Sequence, residues 1–227
     1  MIIGTATRQG TINSGNADAA RTFTTANLTT AAALIDGIGH EGEVHTLAPV
    51  LAEVAARVAA QRGPLAGLLS ASQLMADRGP DIDGPDAVAV VARCRAGADS
   101  VVDWVGDARA YGWDGYCLQR YTTDHTVGEQ LRVNGAPWEL AADHDNWIRT
   151  SLGLAVVATV YEVEIPANEL VILTTDGVHD QVPAERLVEL VQAHEGDPHA
   201  LADALVAAAQ PDESGYRDDA TAIVLRP

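Results

Sequence analysis

The sequence predicts an α+β sandwich of four layers, α-β-β-α, with two antiparallel sheets packed together and a pair of helices over each outer face. Three observations carry that expectation. Apolar positions at helical spacing come in adjacent pairs, strand-length apolar runs come in blocks, and runs within a block are joined by short connections that imply antiparallel pairing. The βαβα alternation of a doubly wound sheet is missing. No internal repeat or low-complexity linker interrupts the chain, so residues 1–227 are read as a single domain.

In chain order, the run AAALI ends at Asp36, which opens the dipeptide DG. Residues 44–60 (VHTLAPVLAEVAARVAA) carry apolar positions at helical spacing, and 64–77 continue as a second helix after Gly63-Pro64. Three strand-length runs follow at 86–93, 99–105 and 109–120, with turns at Gly97 and Asp114-Gly115. Residues 159–165 and 170–175 read as a further strand pair across Pro166–Asn168. The second helix pair takes 184–194 and 198–209, and TAIVL closes the chain as a strand.

Composition excludes several classes of function. Hydrophobic residues make up 47% and charged residues 20%, which suits a well-cored globule; aromatics are 4%, so that core is mostly Ala, Val and Leu. The formal net charge is -18, from 32 acidic and 14 basic residues, and every basic residue is an arginine. No basic stripe is available for nucleic acid or for an anionic membrane surface. Without lysine there is no P-loop site and no Schiff base. The abundance of Ala, Arg and Gly suggests a GC-rich coding sequence, hence a bacterial source. Cys94 and Cys117 are isolated and read as buried free thiols. The opening MIIGTATRQG is too short an apolar run for a signal peptide, and no segment reaches the ~18 apolar residues of a membrane helix. A cytoplasmic monomer is expected.

The chemistry lies in aspartates set where apolar runs meet turns: Asp36 after AAALI, Asp107 after VVDWVG, Asp176 after ELVILTT, and Asp218 just before TAIVL. Strand ends are where a rigid sheet aims side chains into a shared cleft. Carboxylates crowded there repel one another unless a divalent cation neutralises them. Two other patterns carry less. Gly37, Gly39 and Gly42 spell GxGxxG, but Asp36 would abut the pyrophosphate and no second strand offers an acid for the ribose. DIDGPD at 81–86 begins like a calcium loop, yet its twelfth position is Ala92 rather than glutamate.

Taken in order, the acidic junctions resemble the metal-dependent protein phosphatases, the type 2C serine/threonine phosphatase family. VDWVGDARAYGWDG is similar to that family's strand–GDSR–strand signature, with Ala108 in place of its serine. YTTDHT at 121–126 resembles the TxDHS segment, and NWIRTSLG at 146–153 the segment ending in ALG. LTTDGVHD and DDAT resemble the SDGxxD and DNxT motifs, and LIDGIGHEGE the DGxGGH loop, one residue short. The order holds from about Gly10 to Leu225.

The resemblance implies a binuclear Mg²⁺ or Mn²⁺ centre that activates water for hydrolysis of phosphoserine or phosphothreonine. In that frame Asp36 bridges two ions, the Gly37 carbonyl binds one, and Asp176 and Asp218 hold the second. Asp107 with Asp176 is the candidate for a third, weaker ion, and Asp18 matches the acid of the N-terminal NED motif that stands behind the direct ligands, with the motif's glutamate here Ala17. The family's phosphate-clamping arginine falls on Asn13, which leaves Asn13 and Arg8, with Arg21 as an alternative, to hold the phosphate. A histidine follows DG in some members; here that residue is Ile38, and His40 is the nearest candidate acid. The implied partners are a phosphorylated protein and the serine/threonine kinase that opposes the enzyme in signalling. A weakly active regulatory binding module and a small phosphate-ester hydrolase are the alternatives.

Overall fold

The computed structural model describes residues 1–11, 15–39, 42–75 and 84–227. In chain order the strands and helices are β1 (Ile2–Arg8), β2 (Ala19–Thr24), β3 (Thr30–Ile38), α1 (Gly42–Arg62), α2 (Pro64–Ser72), β4 (Asp86–Arg95), β5 (Ala98–Val105), β6 (Arg109–Trp113) and β7 (Leu118–Arg120). They continue as α3 (Val127–Val133), α4 (Trp138–Ala142), β8 (Tyr161–Ile165), β9 (Leu170–Thr174), α5 (Asp176–His179), α6 (Ala184–His194), α7 (Pro198–Ala208) and β10 (Ala220–Arg226). One sheet has the order β1-β10-β9-β6-β7 and the other β2-β3-β4-β5-β8, with every pairing antiparallel.

The central strands are buried on both faces, which is why they read as continuous apolar runs and not as alternating ones. Along β3, Ala31, Ala33 and Ile35 pack under α1 and α2, while Ala32 and Leu34 face the second sheet. The inter-sheet layer joins Leu34, Val90 and Trp104 to Val171, Leu173, Ile223 and Leu225. Outside the second sheet, Ile172 and Val224 meet Leu187, Leu190, Leu201 and Leu205 of α6 and α7. These are the four layers that the sequence predicts.

Alanine does much of the packing. Ala48, Ala52, Ala55 and Ala59 of α1 are buried against the sheet and α2 with almost no accessible surface, so backbones approach closely. At Gly67 of α2, an added Cβ would lie 2.5 Å from the Ala55 carbonyl oxygen and 2.9 Å from the Ala59 Cβ.

Two expected pairings are corrected. β5 and β6 are not neighbours: the chain leaves the β2-β3-β4-β5-β8 sheet at Gly106 (φ 90°) and enters the β1-β10-β9-β6-β7 sheet at Arg109. β8 and β9 likewise belong to different sheets, joined across residues 166–169. Links of three and four residues span about 10–14 Å when extended, enough for the ~10 Å between stacked sheets, so link length does not distinguish a hairpin from a crossing. The structure also adds β1, β2, α3 and α4, and α2 ends at Ser72. Cys94 is buried as expected, but Cys117 is exposed. It follows Asp114, whose carboxylate accepts the N–H groups of Tyr116 and Cys117 in an open turn.

Because α1 and α2 meet at Gly67 without room for a side chain, Gly67→Val should destabilise the fold by about 1–3 kcal/mol. Urea unfolding should register this as a lower midpoint at unchanged slope.

Candidate metal centre

Two of the crossings between the sheets, from β1 to β2 and from β5 to β6, lie at one end of the sandwich. There Asp36 lies in the last residues of β3, β9 ends just before Asp176, β10 begins after Asp218, and β5 hands over to β6 through Asp107. The segment from β1 to β2 crosses at the same end, since Arg8 pairs with Ala220 and Ala19 with Ile35, and it carries Asp18. A cleft of about 920 Å³ opens here. Asp18, Asp36, Gly37, Asp107, Asp176 and Asp218 all line it, so the structure brings together every metal-ligand candidate from the sequence.

Electrostatics make the crowding explicit. Burial pushes the Asp36 carboxyl well above the ordinary carboxylate range, and Asp176, Asp18, Asp107 and Asp218 push it further. Asp176 is raised in the same way, by burial first and then by Asp107, Asp218 and Asp18. Asp18 rises to about 7 through burial, against the opposing hydrogen bonds from Thr221 and Thr175. Asp107 also rises to about 7, by burial and then by Asp124.

Neutral donors hold these groups in place. The Thr175 hydroxyl donates to Asp18 Oδ2 at 2.9 Å and accepts the Thr221 N–H at 2.9 Å. Asp219 Oδ2 accepts the Ala17 N–H at 2.7 Å, and Oδ1 accepts the Gly10 N–H, which ties both ends of the β1–β2 segment to the start of β10. Gly37 must be glycine for this approach: a Cβ there would lie 2.2 Å from Val44 Cγ1 and 2.8 Å from the Ala17 carbonyl oxygen.

The Gly106–Asp107 crossing is braced from behind. Gly106 N–H donates to His125 Nδ1 at 3.2 Å, and the His125 N–H returns a bond to the Gly106 carbonyl at 2.9 Å. Burial lowers the His125 ring to about 4, so it stays neutral and can accept. Arg109 grips Asp124 through two nitrogens, at 2.7 and 3.2 Å, and reaches Asp180 at 3.5 Å. The YTTDHT motif thus supports the crossing and does not enter the cleft.

Other expected site residues are not brought in. Arg8 donates to the Ala209 carbonyl at 3.2 Å and is not among the lining residues. Arg21 stands 4.0 Å from Glu53 of α1. Asn13 and His40 lie outside the described residues, as do Asp81–Asp83 of the DIDGPD segment. Conversely, Asn146, Ile148, Tyr216 and Asp219 line the cleft without having been singled out. Asp219 falls within the DDAT motif, and Asn146 and Ile148 within NWIRTSLG, where the motif marks the segment and not these side chains.

The donor set is entirely oxygen, as hard cations such as Mg²⁺ and Mn²⁺ require. Among the described residues, no three Asp, Glu, His or Cys side chains stand close enough together to enclose an ion. The fit therefore rests on donor chemistry and on carboxyls that repel one another, not on a preformed cage.

The sign of the resulting pH dependence follows from the raised carboxyls. Between about pH 4 and pH 7 the folded state keeps protons that the unfolded chain has lost, with Asp18 and Asp107 titrating near 7. Metal-free protein should thus lose stability as pH rises through that window. Mn²⁺ should raise the melting temperature more at about pH 7.5 than at about pH 5, where the carboxyls are protonated. Thermal melts with EDTA or Mn²⁺ at both pH values check this, and an equal shift at both would contradict it.

Residues 123–227 match the family model of Stage II sporulation protein E (SpoIIE). No curated protein matches the chain in sequence. Among solved structures, the PPM Ser-Thr phosphatase MsPP from Mycobacterium smegmatis is similar at a TM-score of 0.77 and 20% identity, over 99% of this chain and 97% of that one. The serine/threonine phosphatase Stp1 from Staphylococcus aureus has a TM-score of 0.80 at 19% identity, over 99% of this chain and 94% of its own. For PstP/Ppp from Mycobacterium tuberculosis the TM-score is 0.72 at 22% identity, over 98% and 96%. The catalytic domain of PstP has also been solved with two manganese ions. With two five-stranded antiparallel sheets between helix pairs, the chain has the fold of the PPM Ser/Thr phosphatases.

Proposed function

We propose that this chain is a metal-dependent phosphoprotein phosphatase that hydrolyses phosphoserine or phosphothreonine. The observation that carries the reading is the convergence of Asp18, Asp36, Asp107, Asp176 and Asp218, from separate segments of both sheets, on one cleft. A scaffold has no physical use for carboxyls such as Asp36 and Asp176, raised by burial and further by mutual repulsion, whereas a divalent centre does.

In this reading Asp36, the Gly37 carbonyl, Asp176 and Asp218 hold two Mg²⁺ or Mn²⁺ ions, and Asp107 with Asp176 contributes to a third. The bound ions supply acidification of water and screening of the phosphate's charge. Hydrolysis joins the water oxygen to phosphorus and breaks the bond to the serine or threonine oxygen, which leaves in line and takes a proton. The chain's own residues fix the geometry. Thr175 orients Asp18, and the Asp219 carboxylate draws Gly10 and Ala17 toward the mouth. Among the described residues that line the cleft there is no arginine or histidine. A dianionic phosphate entering it would depend on the ions for its counter-charge.

The other side of the mouth suits a protein substrate. Asn146 and Ile148 line the cleft, and Trp147 between them is 59% exposed, its ring meeting His144 edge-on at 4.6 Å. An exposed aromatic at that place is a platform for residues flanking a phosphorylated side chain. We read the physiological substrate as a protein phosphorylated by a serine/threonine kinase, acted on by a cytoplasmic monomer. No helix among the described residues is long and apolar enough to cross a membrane. A regulatory binding module with little turnover is the second reading, favoured by Ala17 in place of the motif glutamate.

The test is Mn²⁺-dependent hydrolysis of an aryl phosphate and of a phosphothreonine peptide. Asp176→Asn should lower turnover at least as much as the ~10–100-fold typical of changes around a metal ligand. Absence of metal-dependent turnover with both substrates, while Mn²⁺ still binds, would favour the binding module. Trp147→Ala should reduce kcat/KM for the peptide about tenfold, the equivalent of ~1.4 kcal/mol, and leave the aryl phosphate nearly unaffected. Equal losses on both substrates would point instead to a small phosphate ester.

A further inference from the structure

The structure assigns Tyr216 as a positioning residue for Asp218, one that sets how tightly the cleft takes up a divalent cation; this rests on the metal-centre reading above. Tyr216 lines the cleft and donates its phenolic O–H to Asp218 Oδ2 at 2.8 Å. The other oxygen, Oδ1, accepts the Asp219 N–H at 2.8 Å. Both oxygens of this carboxylate therefore have a fixed donor, and its rotamer is determined before any ion arrives.

The tyrosine is itself held. Asp212 Oδ1 accepts the Ser214 N–H at 2.8 Å, the Ser214 hydroxyl at 2.6 Å and the Tyr216 N–H at 3.0 Å. The Tyr216 carbonyl accepts the Asp212 N–H at 2.8 Å, closing the turn. Residues 212–216 are otherwise exposed, and Tyr216 keeps 38% of its surface, so the ring is not there to fill a core. What the turn accomplishes is the aim of one hydroxyl.

A phenol has a single proton to donate. Here it is committed to Asp218, so the hydroxyl offers the cleft only lone pairs and is unsuited to gripping a phosphate oxygen at the same time. That decides between the two roles open to it: it acts on the ligand and not on the substrate. Groups that orient a ligand in this way typically change metal affinity by ~10–100-fold when removed.

The experiment is a Mn²⁺ titration followed by calorimetry and by loss of the free-ion electron paramagnetic resonance signal, on wild type, Tyr216→Phe and Asp212→Ala. Tyr216→Phe should bind Mn²⁺ about 10–100-fold more weakly with an unchanged metal-free melting temperature, and its turnover should return to the wild-type level at saturating Mn²⁺. Asp212→Ala keeps the hydroxyl but frees the turn, and should shift affinity in the same direction by less. Mn²⁺ affinity of Tyr216→Phe within about twofold of wild type would overturn the assignment. So would a parallel drop in metal-free melting temperature, which would mark the hydroxyl as structural. If wild type itself takes up no Mn²⁺, the metal-centre reading falls and this assignment falls with it.

Discussion

Like charges held in one half-buried cleft repel, and the active end of this sandwich is organised around that repulsion. Asp36 and Asp176 are driven far up their titration range by burial and by each other's neighbourhood. An open loop would relieve such strain by letting the side chains swing apart into water. A pair of stacked sheets covered on both outer faces does not allow it, because each aspartate sits at the end or crossing point of a strand buried on both sides. The energy of the core thus keeps the carboxyls together, and a cation is the partner that would turn their repulsion into binding.

Close backbone approach is what the small residues contribute. Ala31 and Ala33 of β3 and the alanines of α1 bring helix and sheet together without large side chains between them. The same economy continues into the cleft, where Gly37 meets Val44 and Ala17 at distances that exclude a Cβ. Ala17 stands where the related motif carries glutamate, so one carboxyl fewer crowds the site, and its backbone N–H is used instead to anchor Asp219. A low aromatic content is therefore compatible with a tight core, and packing density is reached by short side chains.

The set of aspartates that gathers in the cleft is legible in the sequence and the connectivity is not. Asp36, Asp107, Asp176 and Asp218 stand out because each ends or begins an apolar run, and local pattern records that directly. Which sheet a strand joins is a long-range fact. The links over residues 106–108 and 166–169 have the length of hairpin turns, yet both cross between sheets. Arg8 illustrates the same limit, since its proximity in sequence to the N-terminal motif suggests a phosphate contact while the strand register of β1 turns it toward Ala209. Tyr216 carries no pattern at all; its role depends on the turn that Asp212 organises.

The placement of cations completes the picture. Among the described residues, none of the carboxylates of Asp18, Asp36, Asp107, Asp176 or Asp218 forms an ion pair with an arginine. Arg109 and Arg120 instead meet at Asp124, and Arg109 extends to Asp180, one layer behind the crossing that carries Asp107. An arginine paired directly with Asp36 or Asp176 would stabilise the metal-free fold, and it would also compete with any ion for the same oxygens. Bracing the ligands with hydroxyls and backbone N–H groups fixes their direction without cancelling their charge. The carboxylates keep their oxygens open to a cation: Arg109 acts on Asp107 only across space, and the Arg217 guanidinium is committed to the backbone carbonyls of Gln9 and Asp218.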